Sequence, residues 1–116
     1  DYESFDLISH VPSSKTIKAK KNEKRLALEQ LYQQVRKYRE HPTDNIDLHK
    51  IAKEINEHHE NDWLLMVEIT ELAHLEDDEE LLSYATTYLE NYQHNHPKIK
   101  HLITDGLDLI FEKETI

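Results

Sequence analysis

The sequence predicts an all-α fold, a compact bundle of about five helices, and three observations carry that expectation. The 116 residues hold one Gly and three Pro, too little turn chemistry for a β-rich chain, beside plentiful Leu, Glu, Lys, Gln and Ala. Apolar residues recur at spacings of three and four in several stretches, the mark of amphipathic helices. The run 61–73, NDWLLMVEITELA, is the most apolar in the chain and holds its only Trp and only Met. Wound into a helix, it shows apolar side chains over more than half its circumference, so it is expected at the centre, covered from several directions.

Residues 1–21 lack helical periodicity, contain Pro12, Ser13, Ser14 and Thr16, and end in lysines, so they read as an extended linker. Tyr2, Phe5, Leu7, Ile8 and Val11 are apolar enough to lie as a strap on another surface. A single helical domain is expected over 22–116. Its first helix runs from an Asn22 cap to Glu40, with Leu28, Leu31, Tyr32, Val35 and Tyr38 as its stripe, and stops at His41 before Pro42. The second spans about 46–59, capped by Asp44 or Asn45, with Leu48, Ile51, Ala52 and Ile55 inward. Asn61 or Asp62 opens the central helix, which ends near His74 or Leu75. The acidic run Asp77, Asp78, Glu79 and Glu80 then suits a helix N-terminus. That fourth helix reaches about Tyr92 with Leu81, Leu82, Ala85, Tyr88, Leu89 and Tyr92 as its stripe. The fifth starts at Pro97 and carries Ile99, Leu102, Ile103, Leu107 and Ile110. Gly106 falls within that stripe at a propensity cost of about 1 kcal/mol, which close approach of another helix would offset.

The second and third helices superpose on the fourth and fifth at an offset of 34, pairing Leu48 with Leu82, Ile51 with Ala85, Ile55 with Leu89, and Ile69 with Ile103. That is the tetratricopeptide period, and it predicts two stacked helical hairpins with the first helix as a third layer. The tetratricopeptide signature is missing, since Trp63 opens the second helix of its hairpin and no Leu-Gly pair follows. Coincidence between two amphipathic hairpins remains the other explanation.

The net charge of −10 is unevenly spread: residues 1–40 carry nine Lys or Arg against six Asp or Glu, and residues 41–116 carry five against eighteen. An acidic body repels phosphate backbones and anionic lipid, so nucleic acid and membrane surfaces are not its expected partners. The basic run Lys15, Lys18, Lys20, Lys21, Lys24 and Arg25 reads first as a solvated linker entering a helix, and second as a contact for RNA or an acidic surface. No Cys is present, which excludes a disulfide framework or thiolate metal site. With no apolar run of about 18 residues and no signal-peptide pattern at the start, a cytoplasmic location is expected. A start at Asp1 without Met fits a piece of something longer.

Nine His raise a metal site, and the tightest group is His94, His96 and His101, with His58, His59 and Glu60 at the matching end of the first hairpin. Exposed polar helix ends explain the same residues. Glu71 and His74 form one Glu-x-x-His pair, where a di-iron bundle needs two. No Gly-x-Ser-x-Gly, Gly-rich phosphate loop or Cys nucleophile is present, so no catalytic residue is assigned. Tyr84, Tyr88 and Tyr92, at i, i+4 and i+8, make a strip shading from core to surface. They serve either as a core wall with hydroxyls in water or as a contact patch for a partner protein.

The stretch ALEQLYQQVRKYRE at 27–40, followed by a helix, HHEN and DWLLMVEITEL at 62–72, resembles the C-terminal extension of the long bacterial phenylalanine 4-hydroxylases. These are aromatic amino acid hydroxylases that continue past their catalytic domain, and the opening DYESFDLISH resembles the chain leaving that domain. The likeness covers about half the sequence. It implies a parent enzyme that hydroxylates phenylalanine to tyrosine with non-haem iron, a pterin and O₂, the iron being held by two His and a Glu in the catalytic domain. His96 and His101 share the H-x4-H spacing of that ligand pair, but Pro97, Lys98, Ile99 and Lys100 depart from the family's motif and the ligand role is not carried over. The resemblance thus implies an accessory domain with no catalytic or cofactor-binding residue of its own. Its partner would be the catalytic domain of the same chain or another protein, with self-association as a further option. An independent helical-hairpin module for protein–protein interaction is the alternative.

Overall fold

The computed structural model describes residues 14–43 and 45–112, with side chains from residue 18 onward. Among them are five α-helices and no strand: α1 Ser14–Glu40, α2 Leu48–His58, α3 Trp63–Leu75, α4 Glu79–Asn95 and α5 Lys100–Glu112, the last entered through a 3₁₀ turn, Pro97–Ile99. The all-α expectation is borne out. The chain divides into two units, Asp1–Leu31 and Tyr32–Ile116.

In the first unit, the described residues belong to α1, which starts at Ser14 rather than at Asn22. The supposed linker therefore includes eight helical residues, 14–21, and Lys and Ala within it are good helix formers that need no apolar face to stay helical. Side chains 18–27 are all exposed. The rest of the expected linker, with its apolar strap, lies outside the described residues.

The second unit begins with the last turns of α1. There Val35 is buried and Tyr32 and Tyr38 are half-buried. Tyr32 donates to the Asp62 carboxylate at 2.6 Å, Tyr38 to Glu76 at 2.7 Å, and Arg39 to Glu68 at 2.9 Å and also to Glu71. All four acceptors lie on α3 or at its ends, so these turns of α1 follow α3 in the same sense. The helix stops where the His41 N–H closes on the Lys37 carbonyl and Pro42 bars continuation.

Asp47 caps α2, its carboxylate accepting from the His49 and Lys50 N–H groups. The expected cap, Asn45 or Asp44, lies two or three residues too early; Asp44 is outside the described residues, and Asp47 stands directly before the stripe Leu48, Ile51, Ala52 and Ile55, all buried. In α3, capped by Asp62, the buried arc is Leu65, Met66, Ile69, Thr70, Leu72 and Ala73. Thr70 is satisfied there by donating to the Met66 carbonyl at 2.8 Å. Full burial of each large apolar side chain contributes roughly 1.5–3 kcal/mol, and α3 collects this by packing on α2, α4 and α5. Its first two residues depart from expectation: Trp63 is only half-buried and Leu64 is 58 % exposed. Leu64 lies on the same face of α3 as the exposed Glu68 and Leu75, four and eleven residues on.

The connection from α3 to α4 takes three residues. The Asp78 N–H reaches the Ala73 carbonyl and the Asp77 N–H reaches that of His74, a Schellman ending that places Asp77 in the left-handed region at φ 56°. Asp78 then caps α4 through the Leu81 N–H, with Glu79 and Glu80 in the first turn. Leu81, Ala85, Tyr88 and Leu89 are buried, and the helix runs on to Asn95. In α5, Ile103 and Ile110 are buried, while Leu102, expected inward, is 46 % exposed. Gly106 faces Val67 of the central helix.

Contacts between α2 and α4 climb together along both helices, from His49 with Asp78 to Asn56 with Tyr84 to Glu60 with Tyr88, so the two run in the same direction. The α3–α5 pair does the same, Val67 meeting Gly106 and His74 meeting Phe111. The helices thus form two hairpins, α2–α3 and α4–α5, side by side. The 34-residue offset describes only part of this: the caps Asp62 and His96 lie 34 apart, but Asp47 and Asp78 lie 31 apart. Leu82 accordingly falls one turn past Leu48's place and is half-buried. Among the described residues no helix is long and apolar enough to cross a membrane.

Candidate interaction groove

Two parallel helices leave a furrow between them, and the furrow between α2 and α4 contains the three tyrosines. On α2, the positions that face it are His49, Lys53 and Asn56, followed by Glu60 just past the helix end, at the i, i+4, i+7, i+11 spacing of one helical face. On α4, Tyr84, Tyr88 and Asn91 answer them. The furrow comprises two hollows, of about 710 Å³ and about 360 Å³, joined through Asn56, Tyr88 and Asn91.

The tyrosines do different things. Tyr84 is exposed and receives a hydrogen bond from the Asn56 amide at 3.1 Å. Tyr88 is buried and donates to the Glu60 backbone carbonyl, which leaves it as the floor of the furrow and a tie between the helices. Burial, and then its electrostatic proximity to Tyr92, Asp62 and Glu60, raises the Tyr88 phenol above its ordinary range. Tyr92 is half-buried, points its hydroxyl toward Asn61 Oδ1 at 3.4 Å, and stacks between Tyr88 and His96. The ring centroids are 6.0 Å and 3.9 Å apart, with planes within 16° and 14°. Tyr84, Tyr88 and Tyr92 therefore do line one surface, with Tyr88 contributing structure more than exposed area.

Compared with known proteins, the chain matches no family model, no curated protein and no solved structure.

Among the described residues the histidines are not grouped as a metal centre needs. His94, His96 and His101 are all exposed, and His96 is engaged with Tyr92, its Nδ1 lying 3.0 Å from the Tyr92 carbonyl. Among the described residues no three His, Asp or Glu side chains are grouped so as to hold an ion. Of the Glu-x-x-His pair, Glu71 binds Arg39 and His74 sets its ring edge-on to Phe111 at 4.9 Å. At the other end of the furrow, His49 Nε2 lies 2.7 Å from Asp78 Oδ2. Partial burial pulls the Asp78 carboxyl upward, but the Leu81 N–H and His49 together outweigh it and hold the group below the usual carboxylate range.

The asparagines escaped the sequence reading. Asn56, Asn61, Asn91 and Asn95 all line the furrow. Asn91 and Asn95 lie four apart, as Tyr84, Tyr88 and Tyr92 do, and that shared period is the signal that could have found them. Each primary amide offers two donors and one acceptor oxygen at a surface that is otherwise phenolic.

Proposed function

We propose that the helical body is a non-catalytic interaction module that holds an extended polypeptide segment in the groove between α2 and α4. The observation that supports this reading is the groove's lining: exposed Tyr84 and half-buried Tyr92 supply broad, rigid contact area, and Asn56 and Asn91 supply amides able to bond both the N–H and the C=O of a peptide backbone. The residues 41–116 carry a net −13, which favours a cationic partner and disfavours nucleic acid and anionic membrane. In the accessory-domain reading suggested by the hydroxylase resemblance, the bound segment belongs to a catalytic domain, and iron and pterin belong there as well. In the tetratricopeptide-like reading it belongs to another protein. Both use the same groove.

The test is selection from a random linear peptide library on the whole chain. Enriched peptides should bind with micromolar affinity and lose about tenfold or more on Tyr84→Arg, which blocks the groove without touching the core. Failure to enrich any sequence, or equal binding to the variant, would contradict the proposal.

A further inference from the structure

We draw no further inference here: the strongest candidate, the surface patch of exposed leucines formed by Leu64 and Leu75 on α3 and Leu102 and Leu109 on α5, is an unpartnered apolar face, and nothing in the structure shows what covers it.

Discussion

The Tyr32 hydroxyl lies 2.6 Å from Asp62 Oδ1, the same oxygen that caps α3 by accepting from the Leu65 N–H at 3.2 Å. One atom thus both starts the central helix and fastens α1 to it. Tyr32→Phe should cost about 1–2 kcal/mol, and Asp62→Ala about 2 kcal/mol because the cap goes as well. Urea denaturation followed by the fluorescence of Trp63, the only Trp and the residue next to the cap, measures both. A double mutant no worse than Asp62→Ala alone would confirm that the two act through one bond.

Alkaline conditions should release the same tie. Burial, then the Asp62 hydrogen bond, raises the Tyr32 phenol, and Tyr88 is raised by burial first. A phenol whose proton is held more tightly in the folded state contributes stability that is complete below the ordinary value of about 10 and lost as pH rises above it. Denaturation at pH 8 and 11 should therefore show a fall in stability that the Tyr32→Phe, Tyr88→Phe double variant largely lacks.

Gly106→Ala should stabilise the fold by about 0.5–1 kcal/mol. A Cβ there would meet Val67 Cγ1 at 3.5 Å, an ordinary contact, on a backbone without positive φ. A lower melting temperature would show that the approach of α5 to α3 is tighter than this spacing.

Asp77 occupies the left-handed position at the end of α3 without being Gly. Asp77→Gly should raise stability by about 0.5 kcal/mol, and Asp77→Val should lower it by about 1–2 kcal/mol, since a β-branched side chain clashes there. Thermal melts of the two variants check the pair.

Much of the fold could be read from the amino-acid pattern because burial and the 3.6-residue period act locally: Ile51, Ile55, Leu65, Ile69 and Leu89 are inward as their spacing requires. Leu64 misled because a run that is apolar over most of its circumference does not say which face stays uncovered, and Leu64 shares its face with the exposed Glu68 and Leu75. The early start of α1 was hidden because lysine-rich turns can be helical without an apolar stripe. Tyr84, Tyr88 and Tyr92 were visible as a strip, but the asparagine lining was not, since it depends on α2 and α4 lying parallel. That arrangement is set by ties such as Tyr88 to Glu60, 28 residues apart in sequence.

The most direct measurement is an amide and side-chain NMR titration of the whole chain with a library-selected peptide. The expected result is a set of shifts concentrated on Asn56, Tyr84, Tyr88 and Asn91. Shifts concentrated instead on the exposed leucines of α5, Leu102 and Leu109, would place binding on another face and contradict the groove as the working surface.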